Sequence, residues 1–308
     1  MEILRSGALT TVQDLGRPGY AHLGVPHSGA LDLAAHRLAN HLVGNGPEAA
    51  TLETTLTGLT LRALAPLVVA VCGAVAPIRR DGHPAPWAEP ISLYAGETLD
   101  VGAAQSGVRS YVALAGGVAV APVLGSRSTD LLSRLGPRPV HDGDVLPLGA
   151  STGPPNPADT YPVTVTAPDA ATPSGRDDGD RGATRPDPLH HASVFELPVL
   201  PGPRADTFPE YAWQVFTARE YTVSQHSNRI ALRLDGPRLP RVGSDTIPSE
   251  GAVLGAIQVP ADGLPIVFLA DHPPTGGYPV IAVLDPAGLG AAAQSPPGTR
   301  LRFRLAGH

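Results

Sequence analysis

The chain has 308 residues, 42% of them hydrophobic, with 35 glycines, 35 prolines and a net charge of −6. That length allows two domains of about 150 residues with real cores, and the glycine and proline load predicts many turns and short strands. The negative charge speaks against nucleic-acid binding, no apolar run approaches the roughly 18 residues of a membrane span, and no signal-peptide pattern opens the chain, so a cytoplasmic protein is expected. No lysine occurs, since all 22 basic residues are arginine. P-loop, Schiff-base and biotinyl-lysine chemistry are therefore closed to this chain, and an anion has to be held by arginine, backbone N–H groups or a metal.

In chain order, the polar stretch "TTVQDLGRPGYAHLGVPHSG" crowds Asp14, Arg17, His27 and Ser28 ahead of the clearest helix. In "SGALDLAAHRLANHLVGN", Leu31, Ala35, Leu38 and Leu42 share one face, Ser28 is the expected N-cap, and Gly44 the C′ residue. "LVVAVCGAV", "ISLYAGETLDVGA", "RSYVALAGGVAV" and "HDGDVLPLG" read as strands, and Cys72 in the first of them as a small buried hydrophobe. Between "RSYVALAGGVAV" and "HDGDVLPLG" lies "GSRSTDLL", either a phosphate-gripping cluster or a turn start.

Residues 151–191, rich in Pro, Gly, Asp and Arg, read as a linker with one strand-like piece, "YPVTVTAP". It separates a first domain, 1–150, from a second, 192–308. Short helices are expected at "FPEYAWQVF" and "DPAGLGAAAQ", strands over most of the remainder, and a hairpin at Asp262-Gly263. "TRLRFRLAGH" alternates Leu301, Phe303 and Leu305 with three arginines, the period of a half-buried strand with a solvated face. Few helices and many short strands argue for barrels or sandwiches. Neither "LHH" at 189–191 nor "DDGD" at 177–180 has metal-ligand spacing, so no metal site is expected.

Two polar stretches are candidate sites. "DHPPTGGYP" interrupts a β region with Asp271, Thr275, Gly276, Gly277 and Tyr278; it is either a structural turn or a loop that lets a ligand approach the backbone. "SQHSNRIALRLDGP" sets Ser227, Asn228 and Arg229 before an alternating strand, where Arg229 offers a planar fork for a carboxylate and its neighbours offer turn chemistry.

Taken together, "TTVQDLGRPGYAHLGVPHSGALDLAAHRLANHLVGN", "TLETTLTG", "SNRIALRLDGP" and "SEGAVLGAIQVPADGLPIVFLADHPPTGGYP" resemble the biotin-dependent carboxyltransferase-like family, which takes in the C subunit of 5-oxoprolinase and the allophanate hydrolase subunit 2 family. The resemblance implies a mainly β fold of two cyclophilin-like β-barrel domains with a few short helices. It implies two partners from the 5-oxoprolinase system, the B subunit as a direct one and the A subunit as a functional one. The implied reaction is ATP-dependent opening of 5-oxoproline to glutamate. ATP would act at the level of the complex, and no covalent biotin would sit on this chain. Two other functions stay open: the carboxyltransferase part of a urea carboxylase, and a non-catalytic regulatory partner of a kinase-inhibitor protein. The sequence departs from the family where "NRIALRL" replaces "NRMGYRL" and where Pro273 and Pro274 stiffen the loop.

With the resemblance added, a cleft between the domains is expected to take a small anionic lactam or amide. Arg229 would grip its carboxylate, while Thr275, Tyr278 and the N–H groups of Gly276 and Gly277 would polarise its carbonyl. Asp271 would be the base or orienting carboxylate, and Ser227, Asn228, Glu250 and Gln258 a supporting shell.

Overall fold

The computed structural model describes residues 1–156, 194–241 and 247–306. Most of the expected linker, including "YPVTVTAP", lies outside the described residues.

The described part of the first half is built on two five-stranded sheets. One runs in the order Glu2–Arg5, Thr60–Arg62, Thr98–Val101, Ile78–Arg80, His83–Ala85. The other runs Thr10–Gln13, Thr51–Thr55, Ser106–Leu114, Leu67–Val75, Ile91–Leu93. Ile3, Leu61 and Leu99 from the first sheet share a core with Leu52, Val69, Val71 and Val112 from the second. The opposite face of the second sheet is also covered. Ala70, Cys72, Tyr111 and Ala113 pack there against Ala35, Leu38, Ala39 and Leu42 of the first helix, α1 (Leu33–Leu42). Burial on both faces is why "LVVAVCGAV" reads as an unbroken apolar run rather than an alternating one. It also pushes the Cys72 thiol well up from its ordinary range.

The apolar face of α1 is as expected, but its cap is not. The N-cap is Asp32, whose carboxylate accepts from Ala35 N at 3.0 Å. Ser28 stands outside the helix at φ 56°, a left-handed conformation uncommon for a non-glycine residue, and its hydroxyl is used elsewhere. Gly44 follows the helix at φ 77°, where an added Cβ would lie 2.4 Å from Pro154 O. On the inner side of α1, His36 is fully buried, with Nδ1 3.0 Å from Thr51 Oγ1 and Nε2 3.0 Å from Pro47 O. Burial holds its ring below the ordinary histidine range.

The second half closes into a barrel of seven strands: Phe195–Pro201, Val280–Leu284, Ala256–Gln258, Ile266–Phe268, Ala231–Asp235, Tyr221–Val223 and Arg300–Leu305. Closure comes from a parallel pairing of Phe195–Pro201 with Arg300–Leu305, which leaves no free edge among them. Helix α2 (Glu210–Ala218) adds Phe216 to the interior, where its ring stacks 4.5 Å from Phe303 and lies near Tyr221. Helix α3 (Pro286–Ala293) is capped by Asp285 and buries Ala291, Ala292 and Ala293. The C-terminal strand alternates as expected as far as Phe303, while Leu305 at its end is exposed. Leu301 and Phe303 are buried, Arg300 and Arg302 both pair with Glu220, and Arg304 lies 3.4 Å from Glu196. Among the described residues, no helix is long and apolar enough to cross a membrane.

Candidate functional site

The two halves meet at a buried polar seam. Glu53 lies on the strand Thr51–Thr55; its neighbour Leu52 points into the sandwich core, so period-two alternation sends Glu53 to the other face, toward α1 and the second half. Its carboxylate accepts from Tyr111 Oη at 2.8 Å, Leu31 N at 3.1 Å and Arg229 Nη1, and lies 3.7 Å from Arg109 Nε. Arg229 crosses the seam. Its Nε and Nη2 donate to the two oxygens of Asp271 at 3.0 Å each, and Nη2 also donates to Gly29 O at 2.7 Å. Asp271 in turn accepts from Ser28 Oγ at 2.7 Å and Leu131 N at 3.2 Å.

Arg229 is 1% exposed and Asp271 is fully buried, so two internal carboxylates occupy the fork expected to take a ligand. The guanidinium ties the halves together through both carboxylates. Burial alone would raise the Glu53 carboxyl, but the charges of Arg229 and then Arg109 outweigh it and hold the group below the ordinary range. Burial works against the charge on Arg229 as well; Asp271 and Glu53 overcome it and keep the guanidinium protonated.

A second tie crosses from α3. Gln294 accepts from Val108 N and Arg109 N, both at 2.9 Å, and donates to Asp32 Oδ2 at 3.0 Å and Arg109 O at 2.9 Å. Gly107, at φ 86°, leaves it room, since a Cβ there would lie 2.9 Å from Gln294 Oε1.

The remaining expected site residues are placed otherwise. Ser227 Oγ accepts from Arg233 N at 3.0 Å, and Asn228 Oδ1 accepts from Ile230 N at 2.8 Å, which is turn chemistry. Glu250 pairs with Arg204, and Glu250–Gly251 forms a two-stranded ribbon with Thr275–Gly276. Gln258 Nε2 donates to Tyr278 O at 2.8 Å, and a Cβ on Gly276 would come within 2.5 Å of that nitrogen. A side chain at position 276 would therefore have to displace the Gln258 amide from its bond to Tyr278 O. Gly277 O accepts from Ile247 N at 2.9 Å. Thr275 is exposed and lines none of the seam. "GSRSTDLL" does cradle an anion, but an internal one: Ser126 Oγ and Ser128 Oγ donate to Asp14 Oδ1 and Arg127 N to Asp14 Oδ2, each at 2.6 Å.

A cleft does lie at the seam, lined by other residues. It is a cavity of about 420 Å³ between the first turns of α1 and α3. Leu31, Leu33, Leu254, Ala270, Ala287 and Leu289 make most of its wall. His27, Ser28, Asp32 and Arg37 supply the polar part. That composition, largely apolar with a few convergent polar groups, is the usual make-up of a small-molecule site. Ser28 is held rigidly: its N–H donates to Ala270 O at 3.0 Å across the seam and its hydroxyl to Asp271. The chain Arg229–Asp271–Ser28 therefore fixes one wall of the cavity from the opposite half. Of the expected site residues, Asp271 is linked to it directly through Ser28, and Arg229 through Asp271.

Sequence reasoning missed Glu53, Arg109, Gln294 and Arg37. The available signal was a lone charge inside each of two otherwise apolar or hydroxyl-bearing strands, "TLETT" and "SGVRSYVAL", with opposite signs.

Residues 23–305 match the family described as carboxyltransferase domain, subdomain A and B, and the chain belongs to that family. Among its relatives, the 5-oxoprolinase C subunit of Escherichia coli (strain K12) is 36% identical over 98% of this chain and 90% of that protein. Among solved structures, TTHA0988 superposes with a TM-score of 0.80 at 35% identity, covering 98% of this chain and 55% of that one. The urea amidolyase of K. lactis superposes with a TM-score of 0.84 at 30% identity, over 99% of this chain but 18% of that one. The chain thus spans about half of one solved relative and under a fifth of the other.

Proposed function

We propose that this chain is the C subunit of an ATP-dependent 5-oxoprolinase, working with a B subunit that it binds directly and with an A subunit to open 5-oxoproline to glutamate. The observation that carries this reading is the end-to-end likeness to a 5-oxoprolinase C subunit, at 36% identity over 90% of that protein. The likeness to urea amidolyase concerns 18% of a far longer chain. Absence of lysine supports a role in which no biotin is carried here. The seam cavity is the substrate site in this reading. Its apolar wall suits a compact ring, and Ser28, aimed by Asp271, presents a fixed hydroxyl oxygen to the ring's polar edge.

The test is reconstitution of the full chain with its B and A partners, following 5-oxoproline consumption and ATP hydrolysis together. Coupled turnover that disappears when this chain is omitted is the expected result. Turnover unaffected by its omission would overturn the proposal. Carboxyl transfer to urea from a separately supplied carboxyl-biotin carrier, without lactam opening, would replace it with the carboxyltransferase reading.

A further inference from the structure

The seam cavity carries information about the class of its ligand. Its acidic group is already committed: Asp32 caps α1 through Ala35 N and accepts from Gln294 Nε2. Asp285 occupies the corresponding end of α3 by accepting from Ala287 N at 2.9 Å, so neither helix end is left as a bare positive pole. Among the described residues, one arginine lines the wall, with His27 as the other basic side chain. Arg37, on the outer side of α1, is exposed and makes no hydrogen bond or ion pair among the described residues. Other arginines nearby are employed differently: Arg17 donates to Ser128 O, Arg109 faces Glu53, and Arg229 is saturated as described.

We propose that Arg37 is the residue that selects the ligand, and that the cavity takes a small monocarboxylate with an apolar body and excludes nucleotides. A guanidinium with no partner among the described residues offers a bidentate fork to one carboxylate. The wall beyond it is Leu33, Leu254, Ala287 and Leu289, which rewards a compact hydrocarbon framework. A triphosphate needs several cations or a cradle of backbone N–H groups, and among the described residues a single arginine lines a largely apolar wall that also carries the Asp32 carboxylate. ATP therefore belongs elsewhere in the complex. The proposal rests on the 5-oxoprolinase reading for the identity of the monocarboxylate, but not for its chemical class.

The experiment measures binding by calorimetry to the full chain, alone and with its B partner. The probes are 5-oxoproline, 2-pyrrolidinone (the same ring without its carboxylate), cyclopentanecarboxylate and ATP. Arg37→Met is expected to weaken both carboxylates by about tenfold or more, the scale of a charge-assisted hydrogen bond, and to leave 2-pyrrolidinone unchanged. Ala34→Trp, on the exposed face of α1 at the cavity, is expected to block all three ring compounds while α1 stays folded by circular dichroism. In the reconstituted complex Arg37→Met is expected to raise the KM for 5-oxoproline and leave that for ATP alone. Carboxylate binding that depends on Arg37 without any 5-oxoproline turnover would keep this inference and remove the 5-oxoprolinase reading. Turnover with an unchanged KM in Arg37→Met, ATP binding lost in Ala34→Trp, or no carboxylate binding by the wild type would each overturn the inference.

Discussion

Arg229 shows what a single side chain can decide. It answers two carboxylates, Glu53 from the first half and Asp271 from the second, with all three groups removed from water. Replacing it by Met leaves both acids buried without their partner. The expected cost is about 3–5 kcal/mol of unfolding free energy by chemical denaturation, whereas a loss below about 1 kcal/mol would mean the carboxylates are neutralised some other way. The sequence made the chemistry of Arg229 legible, since a planar fork for a carboxylate is what it is. It did not make the partner legible. Glu53 is 176 residues away, and only the folded topology sets it opposite. The same limit hid Ser28, whose serine-before-helix context suggests a cap while the bond that holds it comes from Asp271, 243 positions on.

At the scale of elements, the two capped helices differ in how much hangs on each cap. Asp32 satisfies the first turn of α1 and also receives Gln294, and it is 2% exposed. Asp285 serves Ala287 N alone and is half-buried. Asp32→Ala is expected to cost about 2 kcal/mol or more and Asp285→Ala about 1 kcal/mol, read as the drop in melting temperature of each variant. Equal losses would show that the link to Gln294 adds nothing. Among the described residues, the α-helices α1, α2 and α3 lie in the stretches expected to be helical, as the hydrophobic strand 67–75 lies where an apolar run was expected to form one. Which half closes its strands into a continuous barrel was not legible. Alternation records which side of a strand is buried, and closure turns on one further pairing, here Phe195–Pro201 beside Arg300–Leu305.

At the scale of the whole molecule, cohesion depends on protonation. The Glu53 carboxyl titrates lower when folded than its ordinary value of about 4.5, so its contribution is complete above that pH and is lost as pH falls through the folded value. His36 is held neutral, below its ordinary 6.5, and contributes in the same direction: fully above pH 6.5, decreasingly as acid is added. The urea midpoint is therefore expected to decline as pH falls through about 6.5, where the buried His272 adds to His36, and to decline more steeply below about 4.5. A midpoint that is flat to pH 4 would contradict both assignments.

Because the seam's compensating charges are shared out between the two halves, neither can drift by itself. A change at Glu53 becomes tolerable only beside a matching change at Arg229. Inheritance must then treat the pair as one unit. Chimeras that graft the first half of one relative onto the second half of another would assemble only where both parents keep the same clasp.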